Sequence, residues 1–390
     1  MAEGKVRAGG VLSFSNARVR DAVYQLATAA LIAGVLYLLV SNAMQNMARQ
    51  GIVSGFAFLS HEAGYEVGES FIAHSARSTY ARTFVVGILN TLYVSAVGIV
   101  LATILGIVIG IARVSPNWLV ARVSAAYVEL FRNTPLLLQI VFWYAVIRQL
   151  PPPRQAHNPI EGVFLSNRGL VHPVPAADPI HGWMLAALAI GIAGGLAWRG
   201  WARRRQERTG RRPPTVLPML LLILGPPSAL WLAAGAPFAL DMPTLRAFNF
   251  RGGTTHSPEF VALLIGLVAY VGAFIGEIVR SGIQAVAAGQ REAARALGLR
   301  EGLVLGLVVL PQSLRVIIPP LTSQYLNLVK DSSLAVWIGY PDLVSVSNTA
   351  LNQTGQAVEG ILIMMAVYLT ISLSISLLMN WYNSRVRFRR

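Results

Sequence analysis

Apolar residues run along this chain in unbroken blocks rather than in alternation, and the blocks are of bilayer length. A hydrocarbon core of about 30 Å takes about 20 residues of helix. Stretches that qualify are Ala22–Val40, Val85–Ile111, Tyr127–Ile147, Val216–Ala234, Phe260–Val279 and Ile361–Leu378. Trp183–Trp198 is shorter, but a tryptophan at each end suits an interfacial aromatic belt. Val316–Ile338 is apolar yet interrupted by Pro319-Pro320 and by Lys330-Asp331. The pattern predicts an all-α polytopic membrane protein of about eight spans.

Composition agrees, with 54% hydrophobic and only 13% charged residues, where a soluble domain carries about 25% charged. The net charge of +15 does not point to nucleic acid, because the arginines sit in short runs between apolar blocks. With the N-terminus inside, the inner segments hold Lys5, Arg7, Arg18 and Arg20, then Arg113 and Arg122. They also hold the Arg199–Arg212 cluster, Arg280 to Arg315, and the tail Arg385, Arg387, Arg389 and Arg390. The positive-inside rule then puts both termini in the cytoplasm. The first apolar stretch has 19 residues, longer than the core of a signal peptide, and reads as an uncleaved anchor.

Several chemistries are absent. Without cysteine there is no disulfide, thiolate zinc site or cysteine nucleophile. All six histidines (His61, His74, His157, His172, His181 and His256) fall in outer loops or at a span edge, which argues against a membrane cytochrome or a histidine proton relay. No metal motif such as HExxH occurs. The two lysines, Lys5 and Lys330, do not sit in a P-loop, so ATP-driven work needs a partner's nucleotide site. No nucleophile elbow is present, and the chain is not expected to be an enzyme by itself.

One loop carries more information. After Glu277-Ile-Val-Arg280-Ser-Gly come Gly289-Gln290-Arg291-Glu292-Ala293-Ala294-Arg295-Ala-Leu-Gly298, and nine residues later Val308-Val-Leu310-Pro311. Glu292 to Leu297 is a run of good helix formers, ended by Gly298 as a helix C-terminal glycine ends one. The spacing resembles the signature of ABC importer permeases: Glu-Ala-Ala, three residues, glycine, nine residues, Ile-x-Leu-Pro. Val308 replaces the isoleucine. Two more stretches narrow the likeness: Asn90-Thr91-Leu92 through Gly106-x-x-x-Gly110 to Tyr127-Val-Glu129-Leu-Phe-Arg132-Asn133-Thr134-Pro135-Leu-Leu-Leu-Gln139, and Ala269-Tyr270 through Glu277. They are similar to the polar amino acid branch, the histidine, glutamate/glutamine and arginine permeases. Gly51-Ile-Val-Ser-Gly-Phe-Ala-Phe-Leu59 is similar to the general L-amino acid permeases of Gram-negative bacteria.

The resemblance implies a type I ABC importer-like core and a permease subunit of a binding-protein-dependent amino acid importer in the bacterial inner membrane. It divides the chain into an N-terminal tail, first helix and outer loop (1–82), a first core part (83–148), an insertion (149–257) and a second core part (258–390) with its coupling loop at 280–315. The insertion reads as a Pro-rich outer loop, two peripheral helices and a basic inner loop. The resemblance also implies a cytoplasmic ABC ATPase dimer that holds the ATP and Mg, a second related permease and a periplasmic amino acid binding protein, with no cofactor on this chain. Glu292, Ala293, Ala294, Arg295, Gly298 and Arg291 would then contact the ATPase. An ion-coupled secondary amino acid transporter is the alternative, expected to show inverted repeats; a non-transporting membrane assembly subunit is another.

Charges inside a membrane need a partner or a wet cavity. Glu129 with Arg132, and Glu277 with Arg280, are spaced to pair on one helix face. Glu277, Asn133, Thr134, Gln139, Lys330, Asp331, Ser332 and Ser333 are the candidates for a translocation path. The pairs Gly106/Gly110 and Gly272/Gly276 read as close-packing faces.

Overall fold

The computed structural model describes residues 17–49, 55–176, 178–211, 213–235 and 239–386. Seven helices are long and apolar enough to cross a bilayer, and a sharply bent pair makes an eighth, in agreement with the apolar blocks. Two compact units divide the chain, one built from residues up to Tyr93 with those from Pro341 on, the other from Val94–Tyr340.

In the first unit, α1 (Ala17–Arg49) has no buried position in its apolar window. The first part of α2 (Tyr80–Arg113) packs with α11 (Leu343–Thr354) around Phe58, Tyr80, Phe84, Leu343, Val346 and Ala350, and α12 (Ala357–Val386) borders this cluster through Ile363 and Val367. Phe58 lies on a 3-10 turn, Phe56–Ser60, with its ring edge-on to Phe84. It anchors the segment whose wording resembled the general L-amino acid permeases; Gly51–Ser54 lie outside the described residues. Side chains at the end of this unit satisfy backbone that no helix can: Asn90 Nδ2 donates to Glu69 O and Pro341 O, and Leu343 N donates to Thr91 Oγ1.

The second unit is organised around α7 (Pro258–Gln284), buried along most of its length. The remainder of α2 approaches it through glycine. A Cβ on Gly106 would stand 2.5 Å from Ile275 Cβ, and one on Gly110 would stand 2.5 Å from Val279 Cβ, so only glycine allows this approach. Gly272 and Gly276 face Leu105 and Ile109 in return, as the small-residue pairs predict.

The third apolar block is two helices, α3 (Trp118–Asn133) and α4 (Leu136–Arg148), bent by 104° at Thr134-Pro135. Proline lacks the N–H that would continue the ladder. The buried Gln139 amide takes over, donating to Phe131 O and Thr134 O at 2.9 Å each. Pro319-Pro320, by contrast, does not end its helix, because α10 (Leu310–Asp331) continues through both despite the lost backbone bonds. That span begins with one turn of α9 (Glu301–Leu303) and a π-helical turn, Val304–Val309, just before Pro311. It ends as a 3-10 helix, Ser332–Ile338.

The insertion holds strands as well as helices. β1 (His157–Ile160), β2 (Val163–Ser166) and β3 (Gly169–His172) form a meander that β8 (Thr254–His256) joins antiparallel to β3. β4 (Val174–Pro175) pairs with β5 (Leu240–Asp241), and β6 (Thr244–Arg246) with β7 (Asn249–Arg251). Between β4 and β5 the chain runs out and back as α5 (Pro179–Thr209) and α6 (Val216–Ala233). These two pack chiefly on each other.

Candidate functional site

The helix α8 (Ala288–Ala296) carries the Glu-Ala-Ala element, with Ala287 as its N-cap and Leu297 as its C-cap. Gly298 adopts φ +76°, a left-handed conformation that costs glycine nothing. Gly298 N donates to Arg295 O at 2.8 Å and Leu299 N to Ala294 O at 3.3 Å, the paired bonds of a Schellman cap. The expected stop is therefore the observed one.

The two alanines of the element have opposite tasks. Ala294 is 4% exposed and packs in the cluster of Val286, Val304 and Val309. Ala293 faces outward beside Glu292, Ala296 and Leu297. Leu297 is 81% exposed, an apolar side chain with nothing among the described residues to cover it. The charges flanking Glu292 are engaged. Arg291 Nη2 donates to Ile283 O at 2.8 Å and ties α8 back to the end of α7, and Arg295 pairs with Glu301 at 2.6 Å. Glu292, Arg291 and Arg295 line a recess of about 420 Å³ together with Gln284, Val286, Ala287 and Ala288. Of the six expected contact residues, Glu292 and Ala293 are presented, while Ala294, Arg291, Arg295 and Gly298 hold the helix in place.

A second recess, of about 480 Å³, is lined by Arg113, Val128, Glu129, Arg132, Asn133, Phe274 and Glu277. The Glu277–Arg280 pair forms as the spacing predicts, and Arg113 adds a second guanidinium to the same carboxylate. The Glu129–Arg132 pair does not form. Arg132 lies over the Phe274 ring of α7 instead, 4.8 Å from its centroid, in a cation–π contact. Tyr270, one turn before Phe274 on α7, lies within electrostatic reach of both Arg132 and Asp331.

The other path candidates divide. Lys330 is exposed at membrane depth and Asp331 half-buried. Ser332 Oγ donates to Val329 O and Ser333 Oγ to Lys330 O, so both hydroxyls serve the backbone. Thr134 Oγ1 likewise donates to Leu130 O, and Gln139 is the buried staple of the α3–α4 bend. Arg113, Val128 and Phe274 are the lining residues that sequence reasoning missed. Arg113 had the look of an inner-loop charge, and Phe274 of ordinary apolar filling. Among the described residues, no three His, Asp or Glu side chains come together as a metal ion would need.

The model of the binding-protein-dependent transport system inner membrane component matches residues 213–388. The putative amino-acid ABC transporter permease protein YhdX of Escherichia coli is 51% identical over 97% of this chain and 96% of its own length. The chain belongs to the amino-acid ABC transporter permeases. A general L-amino acid transport system permease protein, AapQ of Rhizobium johnstonii, is 47% identical over 95% of this chain and 92% of its own. The glutamate/glutamine/aspartate/asparagine transport system permease protein BztB of Rhodobacter capsulatus is 42% identical over 96% and 95%. The family accounts for a multi-span chain of the inner membrane.

Proposed function

We propose that this permease passes amino acids through the inner membrane by alternating access, driven by a separate ABC ATPase dimer that holds ATP and Mg and fed by a periplasmic amino acid binding protein. A second, related permease chain completes the path, and both termini lie in the cytoplasm. The observation that carries this reading is α8: a short helix fixed by Ala294, Arg291 and Gly298, with Glu292, Ala293 and Leu297 turned outward. Such a helix transmits a push or pull as a rigid body rather than absorbing it.

The recess of Glu129, Arg132, Asn133 and Glu277 supports a path for zwitterions, with Asp331 and the exposed Lys330 as neighbours. Charges of both signs stand exposed at membrane depth, which hydrocarbon does not tolerate and a wet cavity or a neighbouring chain does. Glu277 is shared by two arginines and so shapes the recess rather than offering an open carboxylate; Arg132 is the available cation. The test is uptake and ATPase activity of the transporter reconstituted in liposomes, wild type beside Glu292→Arg. The substitution is expected to abolish binding-protein-stimulated ATPase and uptake while the chain still inserts. Full uptake in the variant, or uptake driven by an ion gradient without ATP, defeats the reading.

A further inference from the structure

The strand pairs fix the sidedness of the insertion. β3 with β8 and β4 with β5 gather the start of α5, the end of α6 and the start of α7 at one end of the second unit. The far end of α5 therefore lies on the same side as α8, the end of α7. That end is unusual in length. α5 has 31 residues, about 46 Å of helix, against 18 residues or about 27 Å for its partner α6.

The two helices are in step where they touch: Gly191 meets Leu222 and Ile223, and Gly195 meets Met219. Trp198 Nε1 donates to Pro214 O at 3.3 Å, so the level of Trp198 is where α6 is about to begin. Everything in α5 beyond Trp198 projects past the start of its partner. The rings of Trp198 and Trp201 lie 4.8 Å apart at this level, tilted by 37°, and tryptophans favour the membrane interface.

On the projecting turns, a period of 3.6 residues puts Trp201, Arg204, Arg205 and Arg208 on one face, with buried Ala202 about a quarter-turn round from it and the Arg203–Glu207 pair opposite. Arg205 lies 5.1 Å over the Trp201 ring. The acidic residue of this segment, Glu207, is committed to Arg203 at 3.2 Å. Arg204, Arg205 and Arg208 are exposed and make no ion pair among the described residues.

We propose that this face, Trp201 with Arg204, Arg205 and Arg208, is a binding site for the phosphate headgroup of an anionic lipid in the leaflet on the α8 side. It rests on the proposed function only for naming that leaflet the cytoplasmic one. The long apolar flanks of α5 and α6, exposed at Leu185, Ile190, Leu196, Leu221 and Leu224, place lipid all around the stem. The tryptophans sit where headgroups begin, and three arginines without a carboxylate partner stand just beyond them. An arginine fork matches a phosphate better than it matches water. A role confined to orienting the hairpin needs charge alone and does not explain a stripe backed by an indole.

The chain has no cysteine, and a Cβ at Gly200 meets nothing, so Gly200→Cys gives one clean labelling point beside the stripe. The full chain, alone and assembled with its ATPase, is reconstituted in vesicles of equal phosphatidylcholine and phosphatidylglycerol with a fluorophore at that cysteine. Spin-labelled phosphatidylglycerol is expected to quench it in preference to spin-labelled phosphatidylcholine, each arginine being worth about fivefold in local enrichment. Replacing Arg204, Arg205 and Arg208 by Gln is expected to remove the preference, as is molar salt with the wild-type sequence. Arg203→Gln is expected to keep it. Equal quenching by the two lipids in the wild type overturns the proposal, as does a preference that survives salt or the triple substitution. Crosslinking of the cysteine to the ATPase with no quenching by either lipid assigns the stripe to a protein partner and overturns it too.

Discussion

Arg113, the last residue of α2, is ion-paired with Glu277 of α7, with side chains only 16% and 25% exposed. Arg280 holds the same carboxylate from one turn further along α7. One acid therefore joins two helices whose backbones already touch through glycine. Glu277→Gln leaves two guanidinium groups facing each other without their shared partner. It is expected to lower stability by about 2–4 kcal/mol, while the double exchange Arg113→Glu with Glu277→Arg recovers part of the loss. A double-mutant cycle on thermal inactivation in detergent reads both.

The glycine contact itself predicts an asymmetry between glycines. Gly110→Ala drives a methyl into Val279 and is expected to cost about 1–3 kcal/mol. Gly194→Ala in α5 meets nothing and is expected to be neutral or to stabilise by up to about 1 kcal/mol. Melting temperatures of the two purified variants distinguish them; equal losses refute the close approach.

Ala293 and Ala294 are adjacent and chemically identical, yet their substitution should separate. Ala294→Leu overfills the cluster of Val286, Val304 and Val309 and lifts α8. It is expected to reduce ATP-driven uptake and to raise protease cleavage of the loop in the isolated chain. Ala293→Leu is expected to leave the isolated chain as resistant as wild type, with any effect appearing only in the assembled transporter.

Asp342 caps α11 through Ser345 N at 2.8 Å while wholly buried, and burial pushes its carboxyl up to about 7. A raised acid binds its proton more tightly when folded than when unfolded. Its contribution is therefore complete at acid pH and is lost as pH climbs from the ordinary carboxylate range to about 7, then stays level. Asp342→Asn keeps a capping oxygen without the titration and is expected to flatten that slope relative to wild type in thermal denaturation followed from pH 4 to pH 8, about the working range of such assays. An unchanged slope refutes it.

The spans were legible because bilayer length and apolar runs are local properties. So was the C-terminus of α8, since Gly298 follows its last helix former directly. Pro135 falls inside the third apolar block, but nothing local gives the size of the bend or the use of Gln139 to mend it. Pro319-Pro320 lies inside an apolar block too, where the surrounding helix tolerates the lost bonds. Arg113 stayed hidden since its partner is far along the chain. The strands of the insertion are two to four residues long, too short for an alternating pattern to stand out, and His256 finds Leu170 only through folding.

That last pairing has a wider consequence. With Leu170 opposite His256 and His172 opposite Thr254, the chain leaves and returns at the same place. Between those two residues β6 and β7 return to the meander, where Phe250 stacks on Phe164 and Asn249 meets Arg168, and the rest is the loop of a β-hairpin, however long. A two-residue Asn-Gly link from His172 to Thr254 could close the same ladder. The helical hairpin with its basic tip is thus a detachable module: it can be lengthened, exchanged or removed without rerouting a single helix that carries the transport machinery.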